Sequence, residues 1–226
     1  MKTLLILSIS IFFSTPFTHA MEDPTPTVEL GAEVYAKRCV LCHGSQAMGD
    51  GVLPLKMKNY PNTNLRKAQK AQSRKDIHEA VVYGGTHGKL SEFMPPFGKE
   101  LSWTELESVT HFVVRIREDS ASASELLAAT MANDTSDRID GRDIFSSRCV
   151  LCHGKFGEGD GRMSKLLKTP PPADLTASRM DRKNLEQIIL LGGEGVGRSK
   201  HMPPWKDQLN KKEIARLIEY LISIRD

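Results

Sequence analysis

The 226-residue chain is poor in cysteine, with four, and poor in aromatic residues, which make up 6%. Neither sign of charge is in large excess. The 31 Lys and Arg against 28 Asp and Glu leave a formal net charge of +3, too little to draw the chain to nucleic acid. No stretch alternates apolar and polar residues as a half-buried strand does, which argues against a sheet fold. No long apolar run follows residue 17, so a bundle of membrane-spanning helices is excluded. The apolar content of 39% is that of a globular chain, not a disordered one.

The one apolar run that does occur is at the start. Lys2 is the only charge before Glu22, and residues 4–17 are apolar apart from Ser and Thr, leading to Thr18-His19-Ala20. This pattern predicts a cleavable signal peptide over residues 1–20, cut after Ala20. The expected mature chain is periplasmic and has no transmembrane segment.

The rest of the sequence is written twice. Shifted by 110 residues, Arg38-Cys39-Val40-Leu41-Cys42-His43-Gly44 falls on Arg148-Cys149-Val150-Leu151-Cys152-His153-Gly154 without a mismatch. The same shift pairs Gly31 with Gly141, Tyr35 with Phe145, and Gly49-Asp50-Gly51 with Gly159-Asp160-Gly161. Further on, a shift of 108 pairs Gly84-Gly85 with Gly192-Gly193, Met94-Pro95-Pro96-Phe97 with Met202-Pro203-Pro204-Trp205, and Phe112 with Tyr220. Two copies of this length are two sequential domains, not a solenoid. The expected bounds are 21–118 and 138–226. A Ser- and Ala-rich linker is expected over 119–137, in which residues 125–129 have the composition for a helical turn.

Helical spacing dominates each copy. Residues 29–42 and 141–152 open the two halves as helices, 103–117 and 211–225 close them, and shorter helices are expected at 74–83 and 182–191, each running into a glycine pair that stops it. The fold class is therefore all-α.

Cys39-x-x-Cys42-His43 and Cys149-x-x-Cys152-His153 have the spacing of c-type haem attachment. Two thiols three residues apart on a helical turn reach two vinyl groups of one porphyrin, and the adjacent imidazole turns onto the iron. A thioredoxin-like redox pair would need a parallel sheet. A zinc site gathers its ligands in one place, whereas these clusters lie 107 residues apart. Disulfides between the halves would leave the repeated histidines unexplained. Two covalently attached c-type haems are the expected cofactors.

Each iron then needs a sixth ligand or an open position. Of Met48, Met57, Met94, Met163, Met180 and Met202, only Met94 and Met202 fall on each other, each followed by Pro-Pro and an aromatic residue. Proline stiffens such a loop, because it fixes φ and removes a backbone donor. His201 and His87 are competing candidates. Neither has a histidine counterpart in the other copy, and the same holds for His78 and His111.

These motifs together resemble the small class I cytochromes c, duplicated into a dihaem chain; the resemblance covers about 29–118 and 139–226. It implies that first and last helices cross at Gly31 and Gly141, with Tyr35 against Phe112 and Phe145 against Tyr220. It also implies His43 and Met94, and His153 and Met202, as the axial pairs. Such ligation saturates the iron, so the expectation is an electron carrier between redox partner proteins, not an enzyme. The Gly-Asp-Gly form is similar to cytochrome modules of haem-copper oxidases and dehydrogenases, which leaves open a subunit of a membrane oxidase or dehydrogenase complex. A dihaem enzyme of peroxidase-like or thiosulfate-oxidising type is the other alternative. The basic run Arg66, Lys67, Lys70, Arg74, Lys75 reads either as a solvated helix face or as a docking patch for an acidic partner.

Overall fold

The computed structural model describes residues 25–53, 60–68, 70–85, 87, 90–133 and 140–226. The signal-like segment 1–20, Met57 and the expected linker residues 134–137 lie outside them. The described helices are α1 (Val28–Arg38), α2 (Val40–His43), α3 (Arg74–Tyr83), α4 (Trp103–Glu118), α5 (Ser120–Asn133), α6 (Gly141–Arg148), α7 (Val150–His153), α8 (Arg182–Gly195) and α9 (Lys211–Ser223). A 3₁₀ turn, Arg162–Lys165, follows α7. Among the described residues there is no strand, only an isolated antiparallel bridge between Met48 and Asn64.

Side-chain caps set the helix starts. Ser73 with Asp76, Ser102 with Glu105, and Asn210 with Glu213 form capping boxes at α3, α4 and α9. Thr27, Asp140 and Asp181 accept hydrogen bonds from the amides of Leu30, Asp143 and Asn184. Each cap satisfies donors that the first turn leaves open, for about 1 kcal/mol. The continuous helices expected over 29–42 and 141–152 are each interrupted at the first cysteine. There φ widens to −113° at Cys39 and −110° at Cys149, away from the helical value, and a separate short turn carries the rest of the motif. The glycine pairs act as expected: α3 stops at Gly84, and the regular part of α8 stops at Gly192, whose φ is +72°.

Each half is built on a crossing of its first and last helices. A Cβ on Gly31 would lie 2.1 Å from the Ser108 carbonyl oxygen of α4, and one on Gly141 would lie 2.1 Å from the Arg216 carbonyl oxygen of α9. Only glycine allows so close an approach. Beside the crossings, Tyr35 meets Phe112 with ring centroids 5.3 Å apart and Phe145 meets Tyr220 at the same 5.3 Å, as the resemblance implies. Arg74 and Arg182, equivalent in the repeat, tie the middle helix of each half to the closing one. Arg74 pairs with Glu107 and donates to Nε2 of His111, and Arg182 pairs with Glu219, the counterpart of His111.

Residues 120–133, expected as linker, form the regular helix α5. The Ala, Leu, Met and Glu content favours helix, and Ala123 and Leu127, four apart, bury one face against the first core. α5 packs on α1 and α4, so it completes the first half. The basic run is partly spent in the same structure: Arg66 donates to Gln46 and Ser124, and Lys75 pairs with Glu79.

The halves touch through equivalent surfaces. Arg38 donates to the Ser146 carbonyl, and Arg148 donates to the Ala36 carbonyl at 2.7 Å. Leu41 packs against the second core, and Leu151 lines the cavity of the first half.

Candidate functional site

Cys39, Cys42, His43 and Met94 all line one cavity of about 520 Å³ in the first half, between α1, α3 and α4 and residues 60–68 and 70–71. That volume falls in the range of small-molecule and cofactor sites, roughly 300–1,000 Å³.

The two motif histidines are held alike. His43 Nδ1 lies 2.7 Å from the Thr63 carbonyl oxygen, and His153 Nδ1 lies 2.9 Å from that of Ala173, the equivalent residue. A carbonyl only accepts, so Nδ1 carries the proton and Nε2 keeps its lone pair. Burial lowers the pKa of both rings, which holds them neutral. Each is thus a pre-set Lewis base.

The cysteines are equally distinct from metal thiolates. Burial pushes the thiols of Cys39, Cys149 and Cys152 up to about 12 and also raises Cys42; the neighbouring Cys42 adds to the effect at Cys39 and, across the halves, at Cys152. All four are free and in their neutral form at ordinary pH. Tyr60 donates to Cys42 Sγ at 3.4 Å, and its ring packs, tilted by 52°, at 4.8 Å from that of Phe93, beside Met94. Among the described residues no three His, Cys, Asp or Glu side chains converge on one point. Neutral thiols in an apolar cavity, beside an imidazole with its lone pair free, fit a covalently held haem and do not fit a zinc cluster.

The methionine loops are anchored by the glycine pairs. Gly85 N donates to Met94 O at 2.9 Å and Gly193 N to Met202 O at 3.0 Å. A Cβ at Gly84 or Gly192 would sit 2.7 Å from the same carbonyl oxygen, so glycine there lets the loop lie on the helix end. The other methionines sort differently: Met48 is exposed, Met163 is fully buried, and Met180 packs on the second core. His78 Nδ1 lies 3.0 Å from Glu107, and His87 stacks on the exposed Tyr83. His201 Nδ1 is buried with no hydrogen-bond partner.

Sequence reasoning missed the carbonyls of Thr63 and Ala173, since a backbone acceptor leaves no residue signature. It also missed Tyr60 and the crossing of Leu41 and Leu151, which no spacing within one copy reveals.

Residues 26–113 and 137–221 match the family described as cytochrome c oxidase, cbb3-type, subunit III. The chain is 24% identical over 211 residues to the cbb3-type cytochrome c oxidase subunit FixP of Sinorhizobium medicae, covering 87% of this chain and 60% of that one. To the subunit CcoP of Cereibacter sphaeroides it is 26% identical over 219 residues, covering 92% of this chain and 66% of that one. Cytochrome c6 of a Picosynechococcus species is 27% identical over 113 residues, 50% of this chain and 92% of its own. The chain spans about 60% of the length of the FixP subunit it matches. No described helix is long and apolar enough to cross a membrane. With the match falling on both copies of the repeat, the chain belongs to the cbb3-type cytochrome c oxidase subunit III family, as a dihaem cytochrome c of two tandem class I domains.

Proposed function

We propose that the chain carries single electrons through its two halves, as the periplasmic electron-transfer part of a cbb3-type oxidase, without turning over a substrate itself. The observation that carries this reading is the pair of equivalent histidines, each fixed through Nδ1 by a backbone carbonyl with Nε2 free. In this reading Cys39 and Cys42 attach one haem and Cys149 and Cys152 the other, with His43 and Met94, and His153 and Met202, as axial ligands. When bound, each haem supplies a one-electron iron couple.

The protein's own residues do the rest. The carbonyls of Thr63 and Ala173 fix the tautomer and orientation of the imidazoles, which raises their basicity as ligands. The Pro-Pro loops would offer the soft thioethers of Met94 and Met202 to the iron, a ligand that would favour the reduced state and leave no open position for oxygen or peroxide. Leu41 and Leu151, each reaching into the other half, bring the two attachment turns together, so an electron passes within one molecule. The names of the relatives support the oxidase as acceptor, and residues 1–20 support the periplasmic side. Within the chain, we assign 21–118 and 138–226 to the two domains, with α5 as a connecting helix packed on the first.

An intact mass and the spectra of the oxidised protein test the reading. Two covalent haems and two low-spin, sulfur-ligated signals are expected; a high-spin component or rapid peroxide turnover would overturn it in favour of a dihaem enzyme. Restored oxygen consumption on adding the chain to a cbb3 oxidase core lacking this subunit tests the partner.

A further inference from the structure

Among the described residues, Arg38 and Arg148 make equivalent contacts between the halves, whereas Arg162 makes one without a counterpart. Arg162, on the 3₁₀ turn of the second half, extends into the first half and meets the methionine loop there. Its Nη1 donates to the Pro96 carbonyl, its Nη2 lies 2.7 Å from Glu100 Oε2, and its guanidinium carbon lies 4.9 Å from the centre of the Phe97 ring. Pro96 and Phe97 follow Met94 directly in Met94-Pro95-Pro96-Phe97. The position equivalent to Arg162 in the first half is Val52, whose side chain has no donor.

We propose that Arg162 is a positioning residue through which the second half holds the Met94 loop of the first. The inference rests on the reading of Met94 as an axial ligand. Within the first half, Gly85 N donates to Met94 O, Met94 N to Ser91 O and Phe97 N to Val81 O, each at 2.9 Å, and Phe97 is buried in the first core. Pro95 and Pro96 have no amide hydrogen to add to this. The planar guanidinium of Arg162 adds a hold from the second half at the Pro96 carbonyl, because it can donate to a carbonyl, pair with a carboxylate and stack on a ring at once. Burial disfavours its charge, with a smaller contribution from the nearby Arg38, and Glu100 offsets both. The stability of sulfur ligation at the first site is therefore set partly by the other domain, whereas the Met202 loop has no such support from Val52.

The test uses the holoprotein with Met202→His as background, so that the near-infrared band of sulfur ligation comes from the first site alone. Imidazole is titrated against that band in the background, in Arg162→Val and in Glu100→Gln. Arg162→Val is expected to weaken the loop so that about tenfold less imidazole displaces the sulfur, with Glu100→Gln giving a smaller shift in the same direction. The double variant should fall short of the sum, because both changes break one contact. Equal imidazole affinity in all forms, with the helical circular dichroism unchanged, overturns the inference while leaving the ligand reading intact. A background protein that lacks the sulfur band overturns both. Should Arg162→Val misfold, the Glu100→Gln shift decides alone, since that variant keeps the arginine and its stacking.

Discussion

Arg38 and Arg148 each donate to a backbone carbonyl in the opposite half, and the two acceptors, Ser146 and Ala36, are themselves equivalent positions of the repeat. Both arginines directly precede the first cysteine of an attachment motif. The clamp is therefore made by the residues that begin the two sites. Removing it with Arg38→Ala and Arg148→Ala should cost about 1 kcal/mol per arginine. Calorimetry is expected to show one melting transition for the native chain and two for the double variant; a single transition in both would show that the clamp does not couple the halves.

The attachment and ligand roles separate cleanly by mass and spectrum. Replacing Cys39 and Cys42 together by Ala should lower the intact mass by one haem and leave the second site spectrally unchanged. Met94→Ala should leave the mass at two haems and remove one of two sulfur bands. A Met94→Ala protein that retains both bands would exclude Met94 as a ligand.

The helix crossings tolerate no side chain. Gly31→Ala drives a Cβ to 2.1 Å from the Ser108 carbonyl oxygen and 2.8 Å from Phe112 Cβ, and backbone must move to admit it. A loss of about 2 to 3 kcal/mol is expected, read as a lower midpoint in denaturant with the slope unchanged. Phe112→Ala should cost more, about 3 to 5 kcal/mol, because Phe112 is fully buried.

Alkali should strike the first half before the second. Burial holds the Tyr35 phenol well above its usual 10.0, and Asp50 reinforces it, while its hydroxyl donates to the Gly44 carbonyl at 3.0 Å. A folded-state pKa above the unfolded one means that this stabilisation is complete below pH 10 and is lost as pH rises beyond it. Phe145 occupies the equivalent place and cannot ionise. Thermal melts above pH 10 should show a steeper loss in the native chain than in Tyr35→Phe, which itself loses about 1 kcal/mol at neutral pH through the lost hydroxyl hydrogen bond, the Gly44 carbonyl keeping only its bond from Ala47 N.

The repeat made much of this architecture readable in advance. Cys39, Cys42, His43 and Met94 could be singled out because chemistry at those positions depends on side-chain identity, and the cavity brings them together. The crossing at Gly31 beside Phe112 was implied by the resemblance to class I cytochromes c, and a close crossing demands a missing side chain. The histidine orienters were not, because Thr63 and Ala173 share no side chain and act through the backbone. Residues 120–133 read as a linker because Ser and Ala are common in both linkers and helices; only the burial of Ala123 and Leu127 decides between them. Arg162 was invisible because its partners belong to the other copy, and self-comparison pairs it with a valine.

The reciprocal contact of Arg38 with Ser146 and Arg148 with Ala36 has the form of an isologous interface, in which the same patch meets itself about a local two-fold axis. Two separate copies of one such domain, placed side by side, would make these two hydrogen bonds with no linker at all. Duplication in a single chain then converts a concentration-dependent pairing into a permanent one. Once the partners are fused they are free to diverge, and the exchange of valine for arginine at Arg162 is where the two copies have ceased to be interchangeable.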